Sequence, residues 1–256
     1  NTLSLGDLEI GIDSELDFTN VATDNESELH LSGDASITKT GDLVFGHLSI
    51  KGYKLTLNPN ITSLTTNHIW LLNDWDSSDG NYMASTGELL AQGVDVTLKK
   101  SLWMEKGKFT MGAGTLTLEQ GGELGEGGEL DLTGSTLELT GPFYNNKGKG
   151  TLTTSASTLS LKSNVKFEPG NDVTFSTYKP NGWGMVLYGD DMDNTSTMTH
   201  LTLGTNGVDL TLQPNTAALT SGFVNGYEPG VTWTEQTSGP TSEFFGLTFG
   251  NNTLVK

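Results

Sequence analysis

The chain has no cysteine and no arginine. Without thiols there is no disulfide framework, so a thin core has to be held by packing and backbone hydrogen bonding alone. All 13 basic residues are lysines, set against 31 carboxylates, and no basic stripe exists to meet phosphates. Nucleic acid is thereby excluded as a partner. The net charge of −18 also repels anionic membrane surfaces. No apolar run reaches the ~20 residues of a spanning helix, so membrane insertion is not expected. No signal peptide or lipidation motif is visible either. Apolar residues make up only 34% of the 256, a low share for a globular domain. Low hydrophobicity with high charge is a composition of disordered chains.

What is present argues against disorder. Thr115-Leu116-Thr117-Leu118, Thr136-Leu137-Glu138-Leu139 and Thr158-Leu159-Ser160-Leu161 are copies of one pattern, starting 21 and then 22 residues apart. Each alternates polar with apolar, the period of a strand with one buried face. A recurrence of this length marks a repeat architecture. The intervening segments repeat as well, through Leu130, Leu152 and Val173, and more loosely through Leu124, Phe143 and Val165. Three short strands per period, separated by turns, describe an all-β, single-stranded parallel β-solenoid with about 21–22 residues per rung.

Followed outward, the lead strand falls at Leu8/Ile10, Leu29/Leu31, Leu48/Ile50, Trp70/Leu72 and Val94/Val96. It then runs through the three central copies, a disturbed rung near Met185–Leu187, Leu201/Leu203, Phe223 and Leu247/Phe249. A second strand is expected at Leu16/Phe18, Ile37, Leu55/Leu57, Leu102, Leu124, Val165/Phe167, Leu210/Leu212 and Val231/Trp233, and a third at Leu43/Phe45, Leu64, Phe109/Met111 and Leu219. The stretch from His47 to Asn60 returns as His200 to Asn215 with a two-residue insertion. Glycines at Gly41, Gly52, Gly121, Gly127 and Gly207 stand between strands, where positive φ is wanted. Glu88–Gln92 is the most helix-tolerant piece, and it is short. The expectation is one domain over residues 1–256, of roughly 11–12 rungs, about 55 Å long at ~4.8 Å per rung.

Three segments break the period: residues 73–88, 178–198 and 224–246. Excursions from a solenoid usually carry its recognition chemistry. The aromatic residues Trp75, Trp183, Tyr188 and Trp233 are therefore the candidate binding residues. The same excursions hold two acidic clusters, Asp74, Asp76 and Asp79, and Asp190, Asp191 and Asp193. Oxygen ligands at this spacing suit Ca²⁺, the one cofactor the chain suggests. The EF-hand spacing is not met, and polar turns whose aspartates cap local amides account for the same residues. Otherwise no cofactor is expected.

Carboxylates on an outer face also raise polysaccharide cleavage, with Asp190, Asp191 and Asp193 beside His200 and Tyr188. Adjacent aspartates rarely flank one glycosidic bond, and a surface this acidic repels polyuronates, so no enzyme is expected. His30, His47, His68 and His200 lack metal-type spacing and read as outward strand positions. Outward threonines such as Thr115 and Thr117 suggest an ice-ordering rank, but the aligned positions Thr117, Glu138, Ser160 and Thr202 vary. Sequons at Asn25, Asn60, Asn194 and Asn251 arise by chance in so Asn-, Ser- and Thr-rich a chain.

The central run from Gly114 to Gly141 resembles the passenger segments of bacterial autotransporters and haemagglutinin-type exoproteins. The resemblance implies an exported, cell-surface adhesin or stalk, with a host or surface glycan or protein as partner. It transfers no functional residues. Strand-like termini with no capping helix add a further expectation, end-to-end stacking of copies into a filament.

Overall fold

A computed structural model describes residues 8–10, 14–18, 23–71, 87–145 and 150–179, with shorter pieces at 75–76, 81–82, 181, 183, 185–188, 199–203, 208–212, 217–221, 232–235 and 254–255. All regular elements among the described residues are strands; there is no helix. Parallel strands stack over about seven turns as a β-solenoid with three sheets.

The central turns show why the repeats fold this way. In Thr115–Leu118, Leu116 and Leu118 are buried and the threonines face out. The chain bends, presents Gly122–Leu124 on a second face, bends again to Gly128–Asp131 on a third, and returns as Thr136–Leu139. There Leu116 pairs with Leu137 and Leu118 with Leu139, and the next turn adds Leu159 and Leu161 in the same register. A one-residue slip would turn every leucine of a strand to solvent, so the alternation pins the register. The interior is a set of such files, including the rings of Phe143, Phe167 and Phe175, with centroids 5.7 and 6.1 Å apart.

Two long strands join the sheets. In Gly41–Ser49 the alternation resets at Phe45–Gly46, both buried, and in Ile61–Trp70 it resets at Asn67–His68. Each strand therefore serves the first face with its first half and the second face with its last three residues. Leu43 pairs with Leu64, and Leu64 with Val96, on the first face. Leu29 pairs with Leu48, and Leu48 with Ile69, on the second. The third face is one unbroken seven-strand parallel ladder from Ser14–Asp17 to Thr151–Thr153.

This arrangement corrects the rung assignment. The expected lead file passes from the second face, at Leu48, to the first face, at Val96, and the other two files change face with it. The cause is an insertion. From Leu64 to Val96 one turn takes 32 residues instead of 21 or 22, because a hairpin pairing Trp75–Asp76 with Asn81–Tyr82 leaves the corner between the second and third faces. Trp70 is also turned round: Ile69 and Leu71 are buried and Trp70 faces out. Glu88–Leu90 is a strand, ended by positive φ at Gln92 and Gly93, not a helical piece.

The C-terminal part departs further. Leu201–Leu203 pairs with Val173–Phe175 rather than with the central leucine files. Val208–Leu212 then pairs antiparallel with Thr199–Leu203, and Ala217–Ser221 antiparallel with Met185–Tyr188. Segments expected to be further rungs thus run along the edges of the last parallel strands. This copy of the His47–Asn60 pattern reverses direction. About seven turns, instead of eleven or twelve, shorten the coil to roughly 35 Å.

Polar side chains mend the ladder where it breaks. Asn145 is fully buried; its Nδ2 donates to the carbonyls of Gly150 (3.0 Å) and Pro169 (2.8 Å), and its Oδ1 accepts from the Gly150 N–H. Asn171 stands in for a peptide unit beside Leu152, accepting from its N–H at 2.9 Å and donating to its carbonyl at 3.0 Å. On the third face the outward file alternates in sign. Asp34 accepts the Lys54 N–H, and Lys54, Glu88, Lys108 and Glu129 follow on successive strands. The ion pairs, 3.4 Å for Lys54–Glu88 and 3.9 Å for Lys108–Glu129, are exposed and worth under about 1 kcal/mol each.

The corners set a test of the stacking. Gly121 has φ +87°, and a methyl on it would stand 1.8 Å from the Pro142 carbonyl oxygen of the next turn. Gly134 has φ +72° but meets nothing closer than 3.9 Å. Gly134→Ala should therefore cost only the left-handed strain, about 1–2 kcal/mol. Gly121→Ala should cost at least ~3 kcal/mol, since backbone must move as well. Urea unfolding of the two variants checks this, and equal losses would show that the turns are not stacked in this register.

Candidate functional site

The second face carries the most unusual exterior of the rod. Its strands follow the rule of the others, with Leu29, Leu48, Ile69, Leu102, Leu124 and Phe143 turned inward. The outward positions between them hold large rings. Trp70 is 53% exposed and Trp103 is 43% exposed. Leu102–Met104 packs beside Ile61–Trp70, and its buried–exposed–buried order matches that of Ile69-Trp70-Leu71, so each of the two neighbouring segments presents an indole outward. The register continues an outward file from each indole: His30 pairs with Ser49 and Ser49 with Trp70, while Trp103 pairs with Glu123 and Glu123 with Tyr144.

A second outward file runs alongside at its N-terminal end. Glu28, His47 and His68 are paired in register. The His47 ring lies 5.8 Å from His30 and 5.9 Å from His68, and it meets Trp70 edge-on at 4.2 Å. His30 Nε2 lies 3.2 Å from Glu28 Oε2. His47 Nε2 is buried and has no hydrogen-bond partner. Burial pushes His47 below its ordinary value of 6.5; Glu28 opposes this, and His30 and His68 add to it. His68 is lowered too, by burial first and then by Lys100. Among the described residues no group of three His, Asp or Glu side chains is placed to hold a metal ion. The three imidazoles form a row of mutually tilted rings.

The expected site residues fare differently. Asp74, Asp79, Asp190, Asp191 and Asp193 lie outside the described residues. Asp76 and Trp75 form the short strand opposite Asn81–Tyr82, Tyr188 pairs with Ala217, and Trp233 pairs with Leu210. No register brings these aromatic residues together. Trp183 is 43% exposed and lies just before the second-face strand Met185–Tyr188. The sequence signal for Trp70 and Trp103 lies in the Leu102-Trp103-Met104 alternation and in the 21-residue step from His47 to His68. On the first face the Thr115, Thr136 and Thr158 file is uniform. The adjacent file gives Thr97, Thr117 and then Glu138, and Asp95 stands beside Thr115. Among the described strands that pair here, Asp95–Leu98, Thr115–Leu118, Thr136–Leu139 and Ser157–Leu161, only Thr115–Leu118 presents threonine in both files, which breaks an ice-ordering rank.

In comparisons with known proteins, the chain matches no protein-family model, no curated protein and no solved structure at a significant level.

The histidine row sets a pH dependence. Because the folded chain holds His47 and His68 below 6.5, the unfolded chain binds the proton more readily. Their contribution to stability is present above pH 6.5 and is lost as pH falls through that value toward the folded ones. Unfolding midpoints between pH 7.5 and 5 should drop less for His47→Phe than for the native chain. Parallel pH profiles for the two would remove His47 as a titrating element.

Proposed function

We propose that this chain is an exported, surface-displayed rod, a non-enzymatic adhesin or structural stalk of the autotransporter and haemagglutinin kind. The observation that carries the reading is the pair of exposed indoles, Trp70 and Trp103, on neighbouring strands of one regular face. Each leaves on the order of 100 Å² of ring facing water, worth about 2–3 kcal/mol if covered. Threonine, glutamate and serine fill the outward sites of other strands, as at Thr117, Glu138 and Ser160. Exposed aromatic surface rimmed by polar groups marks a contact site.

The rest of the rod supports a display role. Each turn bonds only to its neighbours, which gives a stiff spacer whose length scales with the number of turns. The acidic exterior keeps it soluble outside the cell and away from anionic lipid and nucleic acid. In this reading the coil is scaffold, and the acidic loop clusters contribute neither catalysis nor a required metal.

Beads coated with the protein should adhere saturably to cultured epithelial cells and to matrix-coated surfaces, beyond albumin-coated controls. The double substitution Trp70→Ala with Trp103→Ala should lower adhesion at least ~10-fold, the effect of about 1.4 kcal/mol. Adhesion no greater than that of albumin on every surface would remove the adhesin reading.

A further inference from the structure

We infer that the second face binds an uncharged polysaccharide chain laid lengthwise across its strands, a ligand assignment that rests on the adhesin reading above. Two outward files, His30–Ser49–Trp70 and Trp103–Glu123–Tyr144, meet where Leu102–Met104 packs beside Ile61–Trp70, and together they take in six strands. At ~4.8 Å per strand they span roughly 24 Å along the rod, room for several sugar units in line.

Three features select this occupant. Both indoles are exposed on outward strand positions, a setting unlike the concave pocket that a compact apolar ligand would need for burial. A pyranose ring presents a face of C–H groups that lies flat on an indole, while its hydroxyls project outward at the ring edge. The groups beside the indoles answer those hydroxyls: His68 and His30 carry ring nitrogens, and Glu28 and Glu123 carry carboxylates able to accept. Charge removes the polymeric alternatives that also stack. Glu28 and Glu123 flank the strip, with Lys100 as the basic group near His68, on a chain of net charge −18, so phosphate or uronate polymers meet net repulsion there. A neutral glycan supplies stacking faces and hydroxyls without that cost.

Small Ser49 sits buried between His30 and Trp70, so Trp70 stands above its neighbour on one side. The edge-on contact with His47 steadies the ring there. Trp70 is thus held as a fixed shelf, which limits the rotamer entropy lost when a ligand docks.

Affinity electrophoresis of the full chain tests this, in native gels holding hydroxyethyl cellulose, xylan or galactomannan, with alginate and polygalacturonate as charged counterparts. At least one neutral polymer should retard the protein, and neither charged one should. Trp70→Ala and Trp103→Ala should each weaken retardation at least ~10-fold, while Trp70→Tyr retains most of it and Trp183→Ala leaves it unchanged. Native unfolding midpoints in the variants separate loss of contact from loss of fold. No retardation by any neutral polymer, or retardation indifferent to both substitutions, overturns the assignment. If the beads nevertheless adhere through the two indoles, the surface stands and a protein occupies it; if they do not adhere at all, the adhesin reading falls as well.

Discussion

Parallel backbone hydrogen bonding between successive turns governs everything else in this rod. A strand in such a stack has neighbours on both sides, so its side chains have only two destinations, the narrow interior or solvent. The interior accepts files of like residues because each inward side chain rests on its counterpart one strand away. That is why the Leu116, Leu137 and Leu159 file tolerates little variation, while the outward partners Thr117, Glu138 and Ser160 differ freely. The same rule makes the exterior a lattice on which chemistry is written one strand at a time. On the third face that chemistry is alternating charge, on the first hydroxyls, and on the second rings.

The architecture could be read in the sequence because burial in a strand has a period of two and the turn has a nearly constant length. The leucine files and the glycine corners both report these constraints directly. What could not be read was which face a given segment occupies. A period shows that a turn has been completed only if no residues are inserted, and the 32-residue turn between Leu64 and Val96 is silent on where its extra chain sits. One mistaken step there moved every later file round by a face. Trp70 shows the same limit on a smaller scale. Beside Ile69 and Leu71, an indole reads as the best core residue of its triplet, and only the reset at Asn67–His68 turns it outward. Direction is harder still: Leu201 and Leu210 alternate like the central strands, yet the strands that carry them run antiparallel.

The candidate site was less legible than the fold for a related reason. A scaffold that buries its regular parts is expected to carry recognition in its irregular loops. In a solenoid half of every strand is exterior, so a binding surface can be assembled from single outward residues separated by 17 to 33 positions in the chain, as His30, His47, Trp70 and Trp103 are. No local motif announces such a surface. Buried polar groups were equally hidden. Nothing in their neighbourhoods marks Asn145 and Asn171 as substitutes for backbone amides, a role that exists only once the gap in the ladder is known.

The alternating file of Lys54, Glu88, Lys108 and Glu129 acquires a different meaning when assembly is considered instead of the finished rod. Near-identical strands invite a growing stack to skip a turn and join the next but one. Such a mistake would set Lys54 against Lys108, or Glu88 against Glu129, and like charges directly opposite each other repel. Pairs that add little to the stability of the native coil thus disfavour that mispairing.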